Sequence, residues 1–150
     1  IAVNLTGPFL SIKHALPHLI DTGGGAIVAT GSVSSVVNGL GGGAVSYKAS
    51  KGGVLQIVRA VATEYADDGV RANCVCPGFV ATKILDHAIE IADETSTPRS
   101  DHRPEARLLP PMSRAAEPAE IASVVAFLLS DDASFLTGSA VMADGGYTSI

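Results

Sequence analysis

The chain has 150 residues, 47% of them apolar, and a formal charge of −5, so it is the size of one ordinary domain able to bury about 70% of its unfolded surface. The acidic balance excludes a nucleic-acid grip, which calls for a basic face or stripe. Apolar runs such as "IASVVAFLL" fall far short of the ~20 residues that cross a bilayer, and no charged leader opens the chain, so a soluble, cytoplasmic protein is expected, with neither membrane nor nucleic acid as a partner.

The chain begins "IAVNLTG", without methionine and with an apolar run already under way. Ile1 therefore reads as the inside of an element rather than a natural start. Across residues 1 to 20, Val3, Leu5, Phe9, Leu10, Leu16, Leu19 and Ile20 recur with few breakers, which predicts a helix bent at Pro17, where the ring removes a backbone bond. "DTGGG" stops it. "AIVATGS" is a short apolar run bounded by glycines, the pattern of a strand covered on both faces. Residues 33 to 44 read as a loop. From Val45 to about Asp67, Val54, Ile57, Val58, Val61 and Tyr65 recur at helical spacing and predict the longest amphipathic helix. "GVRANCVC" is a second buried strand ended by "PGF". Its Cys74 and Cys76 point to one face without disulfide geometry, and a C-x-C pair lacks the further ligands that a zinc site needs. Residues 83 to 117 predict an irregular excursion with one short helix. Pro118 then takes a first helical position, Ile121, Val124, Val125, Leu128 and Leu129 form an apolar stripe, and "GSAVMADGG" is the third strand.

Strand, helix, strand, helix, strand implies parallel pairing through right-handed crossovers, one half of a Rossmann-like, doubly wound α/β sheet. No internal repeat, linker or domain boundary interrupts it. Residues 39 to 44, "GLGGGA", satisfy the G-x-G-x-x-A form of the pyrophosphate fingerprint, with Glu64 beyond them. The first glycine, however, comes eight residues after the strand ends, and Glu64 falls inside the long helix, so the motif lacks its context and predicts a glycine loop beside a site.

The chemistry centres on "VSYKASKGG", residues 45 to 53. Tyr47 and Lys51 lie about 6 Å apart along one helix face, so both can reach one small molecule. A free phenol loses its proton only near pH 10, and a cation held nearby favours phenolate. Gly52 and Gly53 each cost a helix about 1 kcal/mol relative to Ala, tolerable where something approaches the backbone closely. On its own the pair fits a surface tyrosine and lysine as well as a catalytic one.

The pair has company. "VNLTG" at 3 to 7, "IVATGS" ending in Ser32, "SYKASKGG", "NCVCPGFVAT" and the closing "AEPAEIASVVAFLLSDDASFLTGSAVMADGG" occur in that order. Together they resemble the C-terminal part of the short-chain dehydrogenase/reductase family, from Asn4 to the end. The resemblance implies an NAD(P)-dependent oxidoreductase that interconverts a secondary alcohol and a ketone by hydride transfer. It also implies a catalytic set of Asn4, Ser32, Tyr47 and Lys51. Tyr47 would exchange the proton, Lys51 would hold the nicotinamide ribose and depress the tyrosine pKa, Ser32 would hydrogen-bond the substrate oxygen, and Asn4 would keep a kink and a water in its helix. Pro77, Gly78, Val80 and Thr82 would contact the nicotinamide end of NAD or NADP, with Tyr47 and Lys51 sharing in that contact.

The Ser32 to Tyr47 loop is about two residues longer than the family's usual spacing. Counting back from Tyr47 favours Ser34, while the strand end and the 28-residue separation from Asn4 favour Ser32. His14 and His18 stand at i, i+4, but Pro17 lies between them and the glutamate of a zinc motif is missing, so no metal is expected. His87 and His102 read as solvated. Residues 83 to 112 correspond to the family's variable substrate lid. The first half of the family fold is missing, and with it any reading of NAD against NADP. The strand at 26 to 31 would then present an open apolar edge, which makes a catalytically silent fragment the alternative. That fragment would keep only the homodimer or homotetramer surfaces implied for the helices near residues 1 to 20 and 46 to 66. Epimerase or dehydratase chemistry, known in some relatives, is a third reading.

Overall fold

The computed structural model describes residues 1–38, 45–83 and 110–149. Three strands, β1 (Gly25–Thr30), β2 (Val70–Pro77) and β3 (Ala140–Ala143), form one parallel sheet in that order. Gly25 stands opposite Val70 and Thr30 opposite Val75, while Cys74 stands opposite Ala140 and Pro77 opposite Ala143. Helices α1 (Gly7–Asp21), α2 (Val45–Glu64) and α3 (Pro118–Leu129) supply the layers. The expected half of a doubly wound α/β sheet is present. Among the described residues no helix is long and apolar enough to cross a membrane.

Strand alternation divides the core into two faces. Ile27 and Ala29 of β1, Ala72, Cys74 and Cys76 of β2, and Ala140 and Met142 of β3 pack with Ile12, Leu16, Val54, Leu55, Val58 and Val61 of α1 and α2. Val75 points to the other face, where α3 brings the buried Leu128. There the Arg71 guanidinium donates to the Leu128 and Ser130 carbonyls, each at 3.0 Å, which satisfies orphan acceptors at the end of α3. Asn73, fully buried, donates to the Leu136 carbonyl at 2.7 Å and accepts from the Ser139 N–H at 3.1 Å. These bonds hold the entry to β3 against β2.

Three expectations are modified. The first helix is irregular at its start: Ala2–Thr6 form a π-turn, in which the Thr6 N–H reaches back to the Ile1 carbonyl at 3.3 Å and the Gly7 N–H to that of Ala2. Pro17 lies inside α1. The strand expected to be covered on both faces is only partly so: Gly25 to Val28 are half-buried where β2 is buried almost throughout, and among the described residues β1 pairs with β2 alone, which leaves the open edge that was expected. The expected loop begins with a short 3-10 turn, Val33–Ser35. The "GLGGGA" motif, His87, His102 and residues 84 to 109 of the proposed lid lie outside the described residues.

The paired glycines of α2 have separate reasons. A Cβ on Gly53 would lie 2.6 Å from Leu5 Cδ1, so this glycine lets the π-turn press against α2, whereas a Cβ on Gly52 would meet nothing within 4 Å. Gly53→Ala gains the same helix propensity as Gly52→Ala but must displace the Leu5 side chain, so it is expected to be less stable than that variant by about 1–3 kcal/mol through overpacking. Gly52→Ala is expected to stabilise by about 0.5–1 kcal/mol by restricting the unfolded chain. Chemical denaturation of the two variants checks the order, and equal effects would refute the assigned contact.

Candidate active site

The candidate residues gather at the carboxyl ends of β1 and β2, the usual place for a ligand on a parallel sheet. The Gly31 N–H continues the β1–β2 pairing by donating to the Val75 carbonyl at 2.8 Å. A Cβ on Gly31 would lie 2.6 Å from Cys74 Sγ and 3.1 Å from Cys76 Sγ, so the residue before Ser32 must be small for β1 to end over the two thiols. Ser32 follows in extended conformation and caps the 3-10 turn: its Oγ accepts the Ser34 N–H at 3.1 Å. It is 8% exposed, and among the described residues its hydroxyl proton is given to no acceptor. Ser34 thus meets Ser32 through its backbone.

Helix α2 brings Tyr47 and Lys51 to the same end of the sheet. Lys51 Nζ donates to the Thr30 carbonyl at 2.8 Å and sits 5.9 Å from the Tyr47 ring centroid. Burial pushes the Lys51 ammonium below its ordinary range, with the nearby thiols of Cys74 and Cys76 acting in the opposite sense. Those thiols are free, fully buried and 3.8 Å apart. Their mutual hydrogen bond, with burial, pushes Cys74 up, while the same bond, helped by the Ser32 N–H and the Ser35 hydroxyl, draws Cys76 down.

Asn4 lies at the centre of the π-turn, one residue from the Leu5 that abuts Gly53. An inserted π-turn frees the usual backbone pairing locally and is frequent at functional sites. Ser32, Tyr47, Lys51 and the Asn4 turn are therefore brought around α2. Pro77, Gly78, Val80 and Thr82 form a neighbouring group one strand over, anchored to β3 and to the segment before α3. The Gly78 N–H donates to the Ala143 carbonyl at 3.1 Å, Val80 pairs with Ala116, and the Thr82 N–H donates to the Val80 carbonyl at 2.8 Å. Phe79 packs edge-on against Tyr147, with ring centroids 5.7 Å apart. Past this turn lies a cleft of about 340 Å³ lined by Phe79, Met112, Arg114, Met142 and Asp144. On its rim Arg114 grips Glu120 through two bonds of 2.6 and 2.7 Å. That pairing, with the Glu117 N–H, lowers the Glu120 carboxyl to about 2.

Two features were not anticipated. Ser35 accepts the Ser32 N–H at 3.1 Å and donates to the Lys51 carbonyl at 2.8 Å, and Thr30 takes part through its carbonyl. The S-x-x-S spacing from Ser32 to Ser35 has the form of a reciprocal cap and was the available signal for the first. A backbone acceptor such as Thr30 leaves no residue-type signal.

The donor set fits a nucleotide sugar: an ammonium and a phenol on one face of α2 present groups that can bond adjacent hydroxyls. A family model described as enoyl-(acyl carrier protein) reductase matches residues 1–148. Cyclohexanol dehydrogenase of Acinetobacter sp. (strain SE19) is 41% identical over 151 residues, covering 99% of this chain and 53% of that protein. The crystal structure of levodione reductase superposes with a TM-score of 0.85 at 33% identity, covering 99% of this chain and 56% of that one. The structure of ElxO with NADP bound gives 0.79 at 27% identity, covering 98% and 56%. The chain spans about half the length of the curated relatives it matches, and it belongs to the short-chain dehydrogenase/reductase family.

Proposed function

We propose that this chain carries the proton-transfer half of an NAD(P)-dependent oxidoreductase that interconverts a secondary alcohol and a ketone. The supporting observation is the convergence at the end of β1: a buried Ser32 hydroxyl whose proton goes to no acceptor among the described residues, beside a helix that presents Tyr47 and Lys51. In the oxidative direction Tyr47 takes the hydroxyl proton of the alcohol, and Ser32 donates to the same oxygen as charge develops on it. Lys51 holds the ribose hydroxyls and keeps a positive charge beside the Tyr47 ring. Asn4 maintains the π-turn and the route by which the proton leaves. Pro77, Gly78, Val80 and Thr82 bind the nicotinamide end through the turn backbone. NAD or NADP, when bound, supplies the hydride acceptor.

The substrate is a small alcohol or ketone, and the relatives named above support that class. The α1–α2 face holds an apolar groove of about 690 Å³ that includes Phe9, Leu16, Pro17, Ile57 and Tyr65, which supports the proposal that these helices pair with a second copy in a homodimer or homotetramer. The outer edge of β1, which no strand pairs among the described residues, favours a second reading, in which the 150-residue chain keeps these surfaces but is silent in catalysis. Titrating NADH and NADPH into the chain while following nicotinamide fluorescence separates the two. Saturable enhancement is the expected result, and no change up to millimolar cofactor would leave the silent reading in its place.

A further inference from the structure

The turn after β1 contains a side chain that none of the steps above uses. Ser35 is half-buried at the end of the 3-10 turn. Its oxygen accepts the Ser32 N–H at 3.1 Å and its proton goes to the Lys51 carbonyl at 2.8 Å. A hydroxyl can do both at once, having one proton to give and two lone pairs. We propose that Ser35 is a positioning residue: it fixes the strand end that carries Ser32 at one distance from the helix that carries Tyr47 and Lys51. The inference rests on the roles proposed above for those three residues.

The bonding pattern supports this in two ways. First, Ser32 is bracketed. Thr30, two residues before it, accepts from Lys51 Nζ at 2.8 Å, and Ser35, three residues after it, bonds the Lys51 carbonyl. Side chain and main chain of a single lysine are thus held from both sides of the serine. Second, the Lys51 carbonyl lies inside α2, where the helix already supplies a donor, so the helix does not need the Ser35 bond. The Ser32 N–H does need an acceptor, because it is buried at a strand end, and Ser35 supplies the oxygen acceptor at 3.1 Å beside the weaker sulfur of Cys76. The Ser35 hydroxyl is confined in turn, for a Cβ on Gly31 would lie 2.8 Å from Ser35 Oγ.

Two measurements test the proposal. Residue-resolved amide exchange on the 150-residue chain needs no turnover. Ser35→Ala is expected to speed exchange of the Ser32 amide at least tenfold while the Gly31 amide, bonded to Val75, stays protected; Ser35→Thr, which keeps the hydroxyl, restores the slow rate. An unchanged Ser32 rate, or a uniform rise across the sheet, overturns the assignment. The second measurement is cyclohexanol oxidation with NAD and with NADP. Ser35→Ala is expected to lower kcat by about 10- to 100-fold, the scale of a small misplacement at a reacting centre, with KM unchanged. In a Ser32→Ala background the same substitution should cost almost nothing, because it acts through Ser32. Equal losses in both backgrounds overturn the positioning role. A Tyr47→Phe control isolates the parent reading: if it retains full turnover, the proposed function fails while the exchange result still decides the Ser35 contact.

Discussion

Tyr47→Phe is expected to lower alcohol oxidation by about 10²–10⁴-fold, the usual worth of a positioned proton-transfer group, with the fold retained. The substitution removes one oxygen and leaves the ring beside Lys51 Nζ, 5.9 Å from its centroid. The Lys51 bond to the Thr30 carbonyl and the bond from Ser50 Oγ to the Tyr47 carbonyl do not involve the phenol. Loss of rate therefore reports chemistry and not collapse of the site. Lys51→Met supplies the converse. Burial holds the folded-state ammonium below its ordinary value of 10.5, so the folded state favours the neutral amine, and stability is gained as pH rises through the lowered folded value toward the unfolded one and lost as pH falls back through it. At neutral pH the buried charge costs stability. Lys51→Met should then abolish turnover while keeping the thermal midpoint within about 3 °C of the parent or raising it. Steady-state kinetics beside thermal melts checks both, and a Tyr47→Phe variant with normal kcat would remove the tyrosine from the reaction.

The parts legible in the sequence are those set by local periodicity and capping. α2 and α3 lie close to their predicted spans because apolar residues at helical spacing and a proline at the first position of α3 act within a turn or two. The strand alternation likewise placed Cys74 and Cys76 on one buried face. Close approach between distant segments was not legible. Nothing in "SKGG" distinguishes Gly53, which meets Leu5, from Gly52, which meets nothing. The apolar run "AIVATGS" marked a strand and its open edge was expected, but how far its faces are covered depends on other segments, and Gly25 to Val28 are only half-buried. Asn4 was marked by resemblance, but the π-turn around it is a matter of backbone bonding that residue types alone do not report.

Gly78→Ala is expected to be the most damaging small substitution at the rim of the site, costing about 1–3 kcal/mol by overpacking and weakening cofactor binding with it. Its Cβ would stand 2.9 Å from Asp144 Cα, 3.0 Å from Asp144 Cβ and 3.2 Å from the Asp144 carbonyl oxygen. Two of these three are backbone atoms, so no rotamer change relieves the clash. Asp144 cannot retreat either. Its carboxylate accepts the Gly146 N–H at 2.9 Å, the Thr148 N–H at 2.9 Å and the Thr148 hydroxyl at 2.7 Å. Burial pushes this carboxyl up, but the bonds from Thr148 and Gly146 outweigh it and hold the group below its ordinary range, so the anion stays in place at neutral pH. The turn must therefore lift, stretching the Gly78 bond to the Ala143 carbonyl and carrying Phe79 away from Tyr147. Denaturant melts should show the lost stability, and the near-ultraviolet circular dichroism of the two rings should fall. Fluorescence titration should show a weaker hold on NADH if Pro77 to Thr82 bind the nicotinamide end. A Gly78→Ala chain within about 0.5 kcal/mol of the parent would mean that β3 yields where this packing says it cannot. Intact stability loss with unchanged NADH affinity would instead remove the turn from the cofactor site.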